Sequence, residues 1–511
     1  MDRNNMIARL AAGDGQPYDI CIIGGGATGL GIAVDAASRG YKTVLLEQYD
    51  FAKGTSSRAT KLVHGGVRYL QQGNVRLVTE ALHERGILRR NAPHIVKDLS
   101  FIVPNYKWWE GPYYGLGLKV YDWMAGSLGI GKSRLLSREE TLQLAPTLDD
   151  DGLRGGVLYY DGQFDDARLA INLAQTAAHL EAVVLNYCRV DGFLKKQDHI
   201  EGVATTDTIS GRSYNIPARI VINATGVFTD NILRMDDPGS ETVISPSQGV
   251  HIMLDKEFLP GDAAILVPHT DDGRVLFAVP WYDKIIIGTT DTPVDNIDIE
   301  PRALPEEITF ILRQISRYLK KDPGYGDIRS VYAGLRPLVK NSGRKTAELS
   351  RDHLILVSGS GLITITGGKW TTYRRMAEDT VNTAISRGGL PDKPCVTADL
   401  PILGADDKTS VGSLAAAHPQ WGEKLHPRLP YILADIVHAA RTELCMTVED
   451  ALSRRTRSLL LDAQAAIDCA ETVAAILAEQ LGRDREWQQR QVEDFKQLAN
   501  GYLVHPSIVN S

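Results

Sequence analysis

The sequence predicts an α/β chain, α+β overall: an N-terminal βαβ unit, an antiparallel sheet inserted into the same domain, and a C-terminal helical domain. Three observations predict it. From Tyr18 to Glu47 (YDICIIGGGATGLGIAVDAASRGYKTVLLE) an apolar run, a glycine cluster, a periodic small-residue segment and a second apolar run follow one another. From Val243 to Leu356 the texture changes to short strands and turns, and from 408 to 511 it becomes mostly helical.

Ile20, Cys21, Ile22 and Ile23 form the continuous apolar run of a buried parallel strand. Gly24, Gly26 and Gly29 satisfy G-x-G-x-x-G, with a strand before, a helix after, and Glu47 ending the next strand. Gly24 permits the tight turn, Gly26 lets backbone approach a pyrophosphate, and Gly29 lets helix pack close to strand. The helix N-terminus supplies N–H donors and a positive dipole end, and Glu47 would take a ribose hydroxyl. Gly25 and Thr28 fall within the same turn and join the expected cofactor set. The unit reads as Rossmann-like and dinucleotide-binding.

With 43% hydrophobic and 23% charged residues in 511, the chain is not globally disordered and has room for two or three domains. A net charge of −7 gives no reason to expect nucleic-acid binding. The five cysteines (Cys21, Cys188, Cys395, Cys445, Cys469) are scattered without metal-type spacing, so no metal is expected and the thiols suit a reducing, cytosolic compartment. Residues 1–17 read as a tail without a signal-peptide core. No run reaches the ~18 apolar residues of a membrane span.

In chain order, Thr55, Ser56 and Ser57 offer hydroxyls to phosphate oxygens. Gly65 and Gly66 beside His64 and Arg68 suit backbone running close to a ligand. Leu77 to Arg90 has helical periodicity, stopped by Pro93. Tyr106 to Met124 holds Trp108, Trp109, Tyr113, Tyr114, Tyr121 and Trp123; these rings suit either a bilayer headgroup layer or the packing of a domain interface. Phe164 to Leu180 reads as an amphipathic helix, and strands follow at 182–187, 202–207 and 219–224. The last opens into the small-residue turn Asn223-Ala224-Thr225-Gly226, where backbone can lie against a dinucleotide. Arg274 to Ile287 is a hairpin candidate, Leu304 to Leu319 a helix, and Gly367-Gly368-Lys369 a second glycine-to-helix junction. The dinucleotide-binding parts are then 18–100, 155–242 and 350–387, the substrate sheet 243–349, a linker 388–407, and a helical cap domain 408–511.

Three passages resemble the FAD-dependent glycerol-3-phosphate dehydrogenases, within the D-amino-acid-oxidase-like flavoproteins. They are Ile23 to Gly40, Lys61-Leu62-Val63-His64-Gly65-Gly66-Val67-Arg68-Tyr69-Leu70, and Gly367-Gly368-Lys369-Trp370-Thr371-Thr372-Tyr373-Arg374. Leu30 is bulkier than the residue usual at its slot. Gly288-Thr289-Thr290-Asp291 and Gly334-Leu335-Arg336-Pro337-Leu338 also match. The resemblance implies non-covalent FAD, held by the glycine turn with Glu47, by Thr55, Ser56, Ser57, Lys61, His64 and Gly65, by Ala224, Thr225 and Gly226, and by Gly368, Lys369 and Thr371. It implies oxidation of sn-glycerol 3-phosphate to dihydroxyacetone phosphate, with hydride passed to flavin N5 and electrons to membrane quinone. Arg68, Tyr69, His251, Arg336, Lys369 and Thr372 would surround the substrate. The partners would be that substrate, the quinone and the cytoplasmic face of the membrane, with a homodimer left open and no nucleic acid.

Residue chemistry supports a division of roles. A dianionic phosphate suits arginine's planar fork, with Arg336 the first choice and Arg68 the second. Lys369 at a helix start would serve flavin, phosphate or substrate oxygen, a placement that opposes the helix dipole unless a ligand answers it. His251 or His64 titrates near neutrality and could take the alcohol proton, with His251 favoured by the resemblance. The rival readings are an oxidase of the same substrate using oxygen, an amino-acid or hydroxy-acid oxidase of the same fold, and a non-catalytic flavin redox sensor.

Overall fold

The computed structural model describes residues 1–12, 16–66, 74–340 and 353–504. Two sheets organise them. In the first, strands Ile363–Gly367, Ser213–Asn223, Tyr18–Ile23, Thr43–Leu46 and Val183–Leu185 lie side by side and parallel. The hairpin Cys188–Lys196/His199–Asp207 leads antiparallel into Ser213–Asn223, and His353–Val357 closes the other edge. Both faces are buried, as the continuous apolar run requires. Ile20 and Ile22 join Leu30, Ile32, Leu169 and Val381 beneath the helices Ala27–Ser38, Asp166–His179 and Tyr373–Gly388, whereas Cys21 and Ile23 face the opposite core.

Met6 and Leu10 enter that opposite core, so the expected N-terminal tail is instead a docked helix, Arg3–Ala12. Arg3 fastens it by a 2.7 Å ion pair to Asp207.

The second sheet runs in the order Thr292–Pro293, Ser247–Asp255, Lys284–Gly288, Leu276–Trp281, Ala264–Val267, Lys97–Asn105, Gly155–Gln163, Leu62–Val63. Ser330–Arg336 also pairs with Ser247–Asp255, and Arg134–Leu136 with Gly155–Gln163. The hairpin expected near Tyr282 and Asp283 is present. The part boundaries need correction: strands 62–63 and 155–163 and the start of 97–105, as far as residue 100, all assigned from sequence to the dinucleotide region, belong to this sheet. Ala264 pairs with Phe101 and Ile265 with Ile102, so the substrate domain is built from two excursions of the chain.

The segment expected as a linker is strapped down rather than loose. Leu390 and Ile402 are buried, Ile402 N–H donates to Asn91 O at 2.8 Å, and Asn91 Nδ2 donates to Thr397 O at 3.0 Å. Beyond it lie helices Asp407–Ala417, Leu433–Thr442, Ala463–Leu481 and Arg485–Asn500, with a π-turn at Asp450–Arg455. Ala470, Val473 and Leu477 form a buried stripe along Ala463–Leu481, and Gly482 caps that helix at φ +63°. This core merges with one face of the second sheet through Met253, Trp281, Ile286 and Tyr332.

Candidate active site

A cavity of about 630 Å³ opens where the parallel strands end and continues along the second sheet. Its floor is the glycine turn. Gly24 sits at φ +110°, and a Cβ there would lie 2.7 Å from Ala224 O. A Cβ on Gly29 would lie 1.9 Å from Gly24 O, so only glycine lets the helix start this close to the strand. No side chain caps that helix at Gly26, and Ser56 Oγ accepts from Ala27 N–H at 2.9 Å. Glu47 accepts from Gly25 N–H at 2.7 Å and Tyr49 N–H at 2.8 Å. Burial raises its carboxyl, against the pull of those two bonds. A turn shaped to admit backbone-close ligand, a helix N-terminus and a carboxylate on one wall fit a dinucleotide.

Of the expected cofactor residues, Gly24, Gly26, Thr28, Glu47, Thr55, Ser56, His64, Ala224, Thr225, Gly226, Gly368, Lys369 and Thr371 line this cavity. Gly25 and Gly29 shape the turn from behind. Three others are corrections. Lys61 is fully buried away from the cavity, donating to Asp166 at 2.7 and 2.8 Å and to Ser57 O at 2.7 Å, and Ser57 is buried with it. Gly65 backs onto the helices instead: its N–H donates to Tyr121 Oη at 2.8 Å, and a Cβ would strike Leu82.

His251, Arg336 and Lys369 line the cavity as well, the first two on strands of the second sheet and Lys369 just beyond strand Ile363–Gly367 of the first. His251 is buried, stacks on Tyr332 with ring centroids 4.9 Å apart, and pairs through Nε2 with Thr60 Oγ1 at 2.8 Å. Its Nδ1 is sealed away without a hydrogen-bond partner. Burial first, then the charges of Arg336 and Lys61, hold the imidazole well below its ordinary range, so it is neutral. Arg336, at the end of strand Ser330–Arg336, donates to Gln248 O, Asp291, Thr289 Oγ1 and Thr290 O at 2.9–3.2 Å. Lys369 precedes the turn Trp370–Thr372 that starts helix Tyr373–Gly388, and Trp370 Nε1 donates to Ser56 O at 2.9 Å. Thr372, expected at the substrate, is buried behind Lys369, its Oγ1 donating to Lys369 O at 3.2 Å, and does not line the cavity. Arg68 and Tyr69 lie outside the described residues.

Sequence reasoning passed over Arg58 and Thr60, both of which line the cavity. Arg58 is buried, donating to Glu300 at 2.6 Å and Ala333 O at 3.2 Å. Its only signal was an arginine between the hydroxyl residues and Lys61. Among the described residues, Asp407, His438 and Glu443 cluster closely enough to hold a cation. Arg168 already pairs with Glu443 and stands 3.6 Å from Asp407.

A glycine turn under a parallel sheet, with a second sheet walling the same cavity, is the arrangement of a dinucleotide-dependent oxidoreductase. Residues 19–374 match the family described as FAD dependent oxidoreductase, and residues 409–488 match the C-terminal domain of alpha-glycerophosphate oxidase. The chain is 40% identical to the mitochondrial glycerol-3-phosphate dehydrogenase of Macaca fascicularis, over 94% of its length and 73% of that protein. It is 36% identical to the mitochondrial enzyme of Schizosaccharomyces pombe, over 96% of its length and 88% of that protein. The crystal structure of the glycerol-3-phosphate dehydrogenase from Bacillus halodurans complexed with FAD superposes with a TM-score of 0.77 at 28% identity, covering 98% of each chain. The chain belongs to the glycerol-3-phosphate dehydrogenases of this family, and FAD is its cofactor.

Proposed function

We propose that this chain oxidises sn-glycerol 3-phosphate to dihydroxyacetone phosphate and delivers the electrons to a membrane quinone. The observation that carries the first half is that Arg336 and His251 from the second sheet and Lys369 from the end of the first all line the FAD cavity. FAD, when bound, supplies the hydride acceptor. Arg336 grips the substrate phosphate with a fork whose direction Asp291 and Thr289 hold. His251, neutral and with Nδ1 sealed, takes the hydroxyl proton at Nε2. Lys369 provides positive charge where the substrate oxygen becomes negative as its proton leaves.

Support for a membrane acceptor comes from helix Glu110–Ala125. Trp109, Tyr113, Leu116, Val120 and Trp123 recur on one face at helical spacing and are exposed, Trp123 by 83%, and Trp108 beside them by 78%. Tyr114, Leu118 and Tyr121 bury the other face, so the rings left outside have no core to pack on. Exposed Lys107 and Lys119 flank them. This is the pattern of a helix lying in a bilayer interface. No described helix is long and apolar enough to cross a membrane. The five free thiols favour the cytoplasmic face.

An oxygen-using oxidase is the second reading, favoured by the match of residues 409–488 to an oxidase domain. Anaerobic protein titrated with glycerol 3-phosphate and then with a soluble quinone separates the two. Bleaching of oxidised flavin on substrate and its return on quinone is the expected result. Absence of bleaching defeats the substrate assignment, and fast recovery with oxygen but not with quinone makes the protein an oxidase.

A further inference from the structure

Among the described residues, none of the C-terminal helical domain lines the cavity, yet buried charges of that domain reach into the dinucleotide domain. Arg454 and Arg455 come from the π-turn Asp450–Arg455. Arg454 Nε donates to Asp50 Oδ2 at 2.5 Å, and Arg455 grips the same carboxylate twice, at 2.7 and 2.9 Å. The three side chains are at most 3% exposed. Around them Lys53 pairs with Glu449 at 2.7 Å, Tyr187 donates to Asp450 at 2.7 Å, and Asn186 bridges Asp50 and Leu444 O. Burial alone would raise the Asp50 carboxyl, but Arg455 and Arg454 outweigh it and hold it below the usual carboxylate range.

Asp50 lies in the middle of a loop most of whose members line the FAD cavity. Glu47, Gln48, Tyr49, Ala52 and Lys53 all line the cavity. The loop is clipped to the glycine turn by Glu47 on Gly25 N–H and by Ala52 N–H on Gly25 O at 2.9 Å. Ala52 is held at φ +59°, a conformation that a residue with a Cβ keeps only when its surroundings impose it. Withdrawing either arginine leaves a buried charge uncompensated, and the loop has to open to hydrate it.

We propose that the C-terminal helical domain is part of the FAD site, with Arg454 and Arg455 as positioning residues that hold the Glu47–Lys53 loop against the glycine turn. FAD binding and docking of this domain are then coupled, and the coupling runs both ways. The test combines FAD titration of apoenzyme with hydrogen exchange of the full chain. Arg455→Gln should raise the FAD dissociation constant about tenfold or more, Arg455→Lys should recover part of the loss, and Arg490→Gln, which breaks an exposed pair on the same domain, should leave it unchanged. Removing FAD from the wild-type protein should raise exchange in residues 450–462 as well as 47–53, leaving 463–481 as before. Wild-type FAD affinity in Arg455→Gln would overturn the proposal. So would exchange in 450–462 that does not respond to FAD, and this comparison decides even if the variant fails to fold.

Discussion

Replacing His251 with glutamine tests whether its imidazole takes the substrate proton. The ring is 3% exposed, lies 13° from parallel with Tyr332, and pairs with Thr60 at 2.8 Å. Glutamine has similar length and keeps a donor and an acceptor for Thr60, so the change is chiefly a loss of basicity. A positioned base contributes roughly 10²–10⁴-fold, which is about 2.7–5.4 kcal/mol of barrier at 1.36 kcal/mol per tenfold. Burial, Arg336 and Lys61 place the folded imidazole well below its ordinary 6.5. The neutral, competent form is therefore fully present above 6.5 and is lost only as pH falls through the lowered value. The stability it contributes is lost over the same descent, because unfolding lets the ring take a proton. The assay is the rate of substrate-dependent flavin bleaching by rapid mixing, followed from neutral pH downward in wild type and in the His251→Gln variant. A loss below tenfold, or an acid limb unchanged between the two proteins, would refute the assignment.

Gly29→Ala puts a methyl 1.9 Å from Gly24 O, and reaching an ordinary 3.4 Å contact moves the helix start by 1.5 Å. A shift of that size should weaken FAD binding by about 10²-fold, read as FAD released on gel filtration with secondary structure intact by circular dichroism. Asp166→Asn leaves the buried Lys61 ammonium with neutral acceptors alone, Ser57 O and the new amide oxygen, and with no charge to answer it. It should cost about 3–5 kcal/mol of stability, measured as a lowered urea midpoint, and a midpoint within error of wild type would show that Lys61 is neutral. Trp108→Ser and Trp123→Ser should each weaken sedimentation with anionic vesicles by about tenfold, with glycerol 3-phosphate turnover on a soluble quinone unaffected. Unchanged vesicle binding would remove this helix from the membrane.

The glycine turn was legible because everything it needs is local: a spacing of glycines, the strand before them and the acid that ends the next strand. The second sheet was legible only where its strands follow one another. Lys97–Asn105 is buried along most of its length, so it shows no alternation of polar and apolar residues. It is drawn in by pairing with Gly155–Gln163 and Ala264–Val267, partners far away in the chain. Residues 1–12 failed for a related reason. A ten-residue helix is marginal alone, and what forms Arg3–Ala12 is the core that Met6 and Leu10 enter together with strand residues such as Leu185 and Ile216.

The site shows a sharper limit. A motif locates a cation along the chain but not the acid that answers it. Lys61 opens one of the three matched passages, yet its backbone turns through φ +63°, its ammonium faces Asp166, and it does not line the cavity. Arg58, three residues earlier, reaches the cavity and is matched by Glu300. Arg336 was chosen for its charge, but Asp291 meets it at 3.1 Å, and Arg274, bound to Asp272, stands 3.5 Å from the same Asp291. Among the described residues two guanidiniums meet two carboxylates there, so the charge of Arg336 is already answered by acids. What this arginine brings is direction: a fork already held by Thr289, Thr290 and Gln248, with little freedom left to lose when a dianion takes over some of these donors. That distinction lies in the partners of the side chain, and no spacing in the sequence records them.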